Sequence, residues 1–276
     1  MTGLPHLFPT IETSDPRFER DGLRHIVVRS QALGRRADIT VFVPAGHPKT
    51  HSLLLLLHGV YGSHWSWAQR TGVHLLAQRM IDAGEIEPLV IAMPSDGLWG
   101  DGSGYLPHPG SDAESWIVDE VVAATRQTVP CLEPNAQLSI AGLSMGGYGA
   151  LRLGSRYASQ FAAVSAHSPI THISQMGNFT CEPLDPRRNL NADGTDPDED
   201  LDPLFWMRKN RLILPRLRFD CGSSDPLVAG SRALHTALAA DQIAHVYEEL
   251  PGGHEWSYWE QNIVRTLRFV NASPSR

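Results

Sequence analysis

Disulfide chemistry has little to work with in this chain. Three cysteines in 276 residues, Cys131, Cys181 and Cys221, are widely spaced and form no CxxC. A disulfide scaffold and a zinc ribbon are both excluded as expectations, and a reducing cytoplasm is the expected location. Basic charge is also short. Lys and Arg total 23 against 30 Asp and Glu, for a formal net charge of −7, and Lys49 and Lys209 are the only lysines. A protein that tracks a phosphate backbone needs a basic face, so no nucleic-acid partner is expected. Long apolar runs are missing: the five leucines Leu53 to Leu57 are the longest obvious run, far below the 18 or so residues of a membrane helix. The first 22 residues show no basic stretch followed by an apolar one, so no secretory signal and no membrane partner are expected. A charged fraction of 19% and a hydrophobic fraction of 42% argue against disorder and for a sizeable core.

Length favours one large domain with insertions over two domains. Residues 1–22, polar and Pro-rich, are expected to form an arm, and residues 23–276 a single domain. Arg24–Ser30 and Ala37–Val43 flank a turn at Gly34 and read as an antiparallel hairpin. From Ser52 onward short apolar runs alternate with helical stretches. The strands are expected at 53–57, 89–93, 138–141, 162–166, 217–220 and 245–250. The helices between and after them are expected near 68–83, 113–129, 145–157, 229–240 and 256–270. This rhythm predicts an α/β fold with a mostly parallel central sheet and helices on both faces. Two segments interrupt it: the Gly- and Pro-rich 95–112, and an insert at 171–212 after the sixth strand, rich in Asp, Pro and Asn. Both follow expected strand ends, where open α/β sheets bind ligands.

The sharpest chemical signal is Gly142-Leu143-Ser144-Met145-Gly146, between the strand QLSIA and a helix opening MGGYGAL. A GxSxG turn from strand to helix holds its serine in a strained conformation that exposes the hydroxyl above the sheet. Glycine on either side removes side-chain clashes, and the helix N-terminus sits alongside. Ser144 is therefore the candidate nucleophile, and it needs a base. Five histidines follow it: His167, His172, His235, His245 and His254. His254, in Pro251-Gly252-Gly253-His254 directly after the strand HVYEEL, is at the right end of a strand. His167, in VSAHSP, is the alternative. For the orienting carboxylate, LRFDCGSSDPL offers Asp220 and Asp225. Asp225 is preferred because it lies in the loop and must reach the histidine; it could also cap the following helix, with Pro226 at its start. Oxyanion donors are expected from the Met145 amide and from Val60 or Tyr61 in the loop LLLLLHGVYG. His58 is expected to order that loop.

These motifs together, LLLLLHGVYG, GLSMGGYGAL, FDCGSSDPL and PGGHEWSYW, resemble the esterase family of α/β-hydrolases. That family includes S-formylglutathione hydrolase (esterase D), feruloyl and acetyl-xylan esterases, enterochelin esterases and mycolyl transferases. The similarity runs over about residues 24–271. It implies an α/β-hydrolase fold with Ser144 as nucleophile, Asp225 as acid, His254 as base, and the amides of Val60 and Met145 as the oxyanion hole. It implies a serine carboxylesterase acting on small-molecule esters through an acyl-enzyme, without cofactor. A thioesterase of the S-formylglutathione hydrolase type and an acyltransferase are the alternatives on the same machinery. Trp65, Trp67, Trp99, Trp256 and Trp259 flank the loops concerned; Tyr61, Trp65 and Trp256 are expected to wall the substrate pocket. The polar insert favours short acyl groups. Whether the chain forms a homo-oligomer is left open.

Metal signals are weak. Asn189-x-Asn191-x-Asp193-Gly194, with Asp200 at position twelve, follows half of a calcium loop. It starts with Asn and lacks the closing Glu, so a solvated acidic loop is the reading and no metal is expected. Gly100-Asp101-Gly102-Ser103-Gly104 is followed by no helix and is not a dinucleotide fingerprint.

Overall fold

The structure is a computed structural model that describes residues 8, 10–181 and 197–272. The motif at Asn189–Gly194 lies outside the described residues.

The chain begins with β1 (Ile11–Thr13), β2 (Leu23–Arg29) and β3 (Arg36–Phe42), all antiparallel neighbours. The expected hairpin is β2–β3, with Leu23 opposite Phe42 and Arg29 opposite Arg36. Part of the expected arm belongs to the sheet itself: β1 pairs along β2, and Phe8 is buried in the core. Next come β4 (Thr50–Leu57) and β5 (Val90–Pro94), then a two-stranded ribbon of β6 (Pro107–His108) and β7 (Ser111–Asp112). The later strands are β8 (Leu132–Leu143), β9 (Ala163–His167), β10 (Arg216–Gly222) and β11 (Val246–Leu250). The main sheet has nine strands in the order β1-β2-β3-β5-β4-β8-β9-β10-β11. From β5 to β11 every neighbouring pair is parallel.

Leucine alternation in β4 shows how the sheet is covered. Leu53, Leu55 and Leu57 face one buried cluster with Ile140, Tyr148 and Leu151, on the side of helix Met145–Arg156. Leu54 and Leu56 face another with Ala77, Tyr258 and Ile263, on the side of helices Val73–Asp82 and Trp256–Asn271. A strand buried on both faces reads as an unbroken apolar run. Each leucine so buried contributes about 1.5–3 kcal/mol.

The helices differ from expectation in two places. The expected helix near 68–83 is two helices, Ser66–Thr71 and Val73–Asp82, broken at Gly72, whose φ of 62° ends one and begins the other. The expected helix near 113–129 carries a wide turn at Trp116–Val121, where Trp116 is buried and donates Nε1–H to the Ser95 carbonyl at 2.8 Å. The described part of the insert is more regular than expected, with turns at Ile173–Asn178 and short helices at Pro197–Asp200 and Pro203–Lys209. Trp206 and Met207 are buried against helix Met145–Arg156. Beside them Arg152 is wholly buried and pairs with Glu114 and with Asp200, at 2.7 Å for the latter. Arg156 also pairs with both acids. This network fixes the end of the insert to the helix Met145–Arg156, which directly follows Ser144. The Asp200 carboxylate is thereby committed to two arginines.

Candidate active site

Ser144 lies between β8 and the helix Met145–Arg156 with φ 53° and ψ −117°, a strained region for a side chain larger than glycine. The strain is held from three directions. Its amide donates to the His167 carbonyl at 3.0 Å, and its carbonyl accepts from Tyr148 and Ile170. A Cβ on Gly142 would collide with the Gly146 carbonyl, and one on Gly146 with the Leu57 carbonyl. Glycine at both positions is a steric requirement of the turn.

His254 follows β11 in the loop 251–255, and Asp225 follows β10. The His254 Nε2 is 3.0 Å from Ser144 Oγ, and its Nδ1 is 2.9 Å from Asp225 Oδ2 and 3.2 Å from Oδ1. The structure thus brings Ser144, His254 and Asp225 into one hydrogen-bonded line. Asp225 is buried and also accepts the Leu227 amide at 2.8 Å. Burial pushes its carboxyl up, but the bond and charge of His254, the Leu227 amide and the Ser168 hydroxyl together hold it below the usual carboxylate range. It therefore remains an anion, suited to fix the proton of His254 on Nδ1 and leave Nε2 facing the serine.

The other pair of candidates forms a separate unit. Asp220 and His167 stand opposite each other in the β9–β10 register, and Asp220 Oδ2 lies 2.9 Å from His167 Nδ1. Asp220 also accepts from Arg218 and from Tyr258 Oη, each at 2.6 Å, while His167 Nε2 meets Thr266 at 2.7 Å. None of these groups contacts the Ser144 hydroxyl. Elsewhere, His172 caps the turn at Ile173–Asn178, and His235 and His245 bond to each other at 2.7 Å.

The loop after β4 supplies the second side of the site. His58 is buried; its Nδ1 donates to the Gly59 carbonyl at 2.7 Å and its Nε2 accepts the Asp96 amide at 3.1 Å. The same Gly59 carbonyl accepts from the Gly62 amide. In a trans peptide the N–H points opposite to the carbonyl, so the Val60 amide is turned away from His58. Tyr61 does not compete with it: its amide donates to the Asp101 carbonyl at 2.9 Å. Among the described residues, the amides of Val60 and Met145 donate to no protein acceptor, and Met145 is the first residue of its helix, where amides have no intrahelical partner.

The expected pocket walls are placed unequally. Tyr61 and Trp65 are exposed, at 65% and 44%. Trp256 packs edge-on against Trp67 and Trp259 with the Arg70 guanidinium over its ring. The rings that meet His254 are Trp259, edge-on at 5.0 Å, and Phe179, at 5.0 Å and a 32° tilt. Phe179 was not among the expected residues, since nothing in the polar insert marks it. Ser168 was missed as well. It accepts from Trp259 Nε1 at 3.2 Å, the ring that meets His254 edge-on. Its place directly after β9 was the available signal.

No cluster of three or more His, Cys, Asp or Glu suited to a metal occurs among the described residues. No helix of the described residues is long and apolar enough to cross a membrane.

The sequence profile of the Esterase family ("Putative esterase") matches residues 30–270. An acetyl esterase of Caldicellulosiruptor saccharolyticus is 28% identical over 233 residues, covering 79% of this chain and 82% of the relative. A fluorophosphonate-binding serine hydrolase of Staphylococcus aureus has a similar structure, with a TM-score of 0.76 at 22% identity, covering 90% of this chain and 98% of the other. An S-formylglutathione hydrolase of the same organism superposes with a TM-score of 0.73 at 20% identity, covering 91% and 98%.

Proposed function

The chain belongs to the Esterase family, a serine carboxylic ester hydrolase of the α/β-hydrolase fold, and within that family we propose that it cleaves water-soluble, short-chain acyl esters with Ser144, His254 and Asp225 as its triad. The observation that carries this reading is the pair of bonds on His254, 3.0 Å to Ser144 Oγ and 2.9 Å to Asp225 Oδ2.

Ser144 Oγ attacks the ester carbonyl while His254 Nε2 takes its proton. Asp225 holds the Nδ1–H and stabilises the imidazolium that forms. Negative charge develops on the carbonyl oxygen, and the amides of Val60 and Met145 receive it. His254 then protonates the departing alcohol, and the acyl group remains on Ser144. In the second half, His254 activates a water that releases the acid. Besides the ester and the water, each step uses side chains and amides of this chain.

Small acyl groups fit the surroundings. The Phe179 and Trp259 rings flank His254 closely, and the residues of the insert are mainly acidic and polar. An extra methylene gains about 0.8 kcal/mol only where a dry wall receives it. The three cysteines are free thiols, which suits a reducing cytoplasm. The test is kcat/KM across p-nitrophenyl esters of increasing chain length below their micelle concentrations. The maximum is expected between acetyl and butyryl. A maximum at octanoyl or beyond, or a jump in rate above the micelle threshold, overturns the short-acyl reading.

A further inference from the structure

Asp101 sits at the tip of the Gly-rich loop 95–112 and touches two other loops of the site. The tip is itself bonded from within. The Asp96 carboxylate accepts the amides of Leu98 at 3.0 Å and Ser103 at 2.7 Å, closing a small ring of chain around residues 97–102. The imidazole that orders the β4 loop accepts the amide of the same Asp96. From this base the Asp101 carbonyl accepts the Tyr61 amide at 2.9 Å, one residue beyond Val60. Its carboxylate reaches the other way, and Oδ2 accepts the Cys181 amide at 2.6 Å.

Cys181 lies two residues after Phe179. The turn between them is wound on Met176, whose carbonyl accepts the amides of both Phe179 and Thr180. Among the described residues of the insert, the Phe179 ring meets the His254 imidazole. One aspartate therefore holds the front of the insert with its side chain and the oxyanion loop with its main chain. A charged acceptor makes the stronger kind of hydrogen bond, and here it anchors a segment that the Phe179 ring and the Met176 turn alone would hold more loosely.

We propose that Asp101 is a positioning residue for ester specificity: its carboxylate clasps the insert so that Phe179 closes the space beside His254 to long acyl groups. The proposal rests on the triad reading above, since it makes the His254 imidazole the reacting base. The side-chain bond to Cys181 and the main-chain bond to Tyr61 separate by chemistry. Replacing the side chain removes the bond to Cys181 and leaves the carbonyl that accepts from Tyr61. The oxyanion loop then keeps its main-chain bond to residue 101, and the insert loses the bond at Cys181.

The experiment compares wild type, Asp101→Ala, Asp101→Asn, Phe179→Ala and the Asp101→Ala/Phe179→Ala double variant. The readout is the ratio of kcat/KM for p-nitrophenyl acetate to that for p-nitrophenyl hexanoate, with thermal melts as the check on folding. Asp101→Ala is expected to lower the ratio by about tenfold, chiefly through a lower KM for hexanoate, while kcat for acetate stays within about threefold. Asp101→Asn, whose amide oxygen can still accept the Cys181 amide, is expected to keep the ratio near that of wild type. Phe179→Ala should lower the ratio as Asp101→Ala does, and the double variant should go no further, because both changes open the same wall. An unchanged ratio in Asp101→Ala overturns the clasp, as do equal losses in Ala and Asn or additive effects in the double variant. A wild type that prefers hexanoate contradicts the short-acyl reading instead. A protein in which Ser144→Ala hydrolyses both esters normally contradicts the triad.

Discussion

Asp220 Oδ2 and His167 Nδ1 lie 2.9 Å apart, both fully buried, one strand over from the His254–Asp225 pair. This pair and His254–Asp225 lie at the same end of one sheet, and they have opposite surroundings. His254 reaches Ser144 and is partly open to solvent; His167 is closed off by Thr266 and by the strands around it. Asp220 is further committed to Arg218 and Tyr258, and Arg218 continues to Glu248 on β11 at 2.7 Å. The buried pair braces β9, β10 and the last helix beneath the site.

The two aspartates should therefore fail in different ways. Asp225→Asn is expected to lower kcat by about 10³–10⁴-fold, since an amide cannot fix the histidine tautomer, with little change in melting temperature. Asp220→Asn is expected to keep kcat within about tenfold of wild type and to lose stability, because a buried charge network broken on one side costs about 3–5 kcal/mol. Kinetics and urea unfolding on the same preparations give the ranking. The reverse ranking would move the acid role to Asp220.

The same network sets an acid limit on the fold. Burial pushes the Asp220 carboxyl up, but His167, Arg218 and Tyr258 outweigh it and bring the group down to about 2. A carboxylate lower in the folded than in the unfolded chain, where Asp titrates near 3.9, adds stability that is complete above that unfolded value. It is lost as pH falls from about 4 towards 2. Urea midpoints measured across that window should fall more steeply for wild type than for Asp220→Asn. Parallel curves would show that Asp220 carries no such linkage.

Arg152 gives a test of how the insert is held. It is wholly buried between Glu114 and Asp200, and burial opposed by the Glu114 charge leaves it firmly protonated. Arg152→Met should destabilise the protein by about 3–5 kcal/mol by leaving excess acid inside. Calcium should not replace the lost cation, because Asp200 faces the helix through Arg156 as well. The measurement is the melting temperature with calcium and with chelator. Restoration of wild-type stability by calcium would make this a metal site.

Much of this arrangement was legible beforehand, for identifiable reasons. Ser144 announced itself because the turn's steric demands appear as glycines at 142 and 146, and the flanking strand and helix have strong patterns. His254 and Asp225 followed from their places after β11 and β10, since parallel strands put successive loops at one end of the sheet. The break at Gly72 and the wide turn at Trp116–Val121 were not legible. Both depend on what the helices pack against, and apolar periodicity runs through them unchanged. Phe179 was invisible for a related reason: its place in the site comes from contact with His254, which is 75 residues away in sequence. Trp256 shows the converse. Its position beside His254 in the chain suggested a pocket wall, but the helix it begins turns its ring towards Trp67 and Arg70.

The assignment of Ser144 as the residue that carries the acyl group is tested by peptide mapping after fluorophosphonate treatment. One adduct per chain is expected, located on Ser144, with complete loss of esterase activity. Ser144→Ala is expected to take no adduct, with a fall in turnover of about 10⁴-fold or more and an unchanged melt. An adduct on another serine, or a Ser144→Ala variant that hydrolyses p-nitrophenyl acetate at close to the wild-type rate, would contradict it.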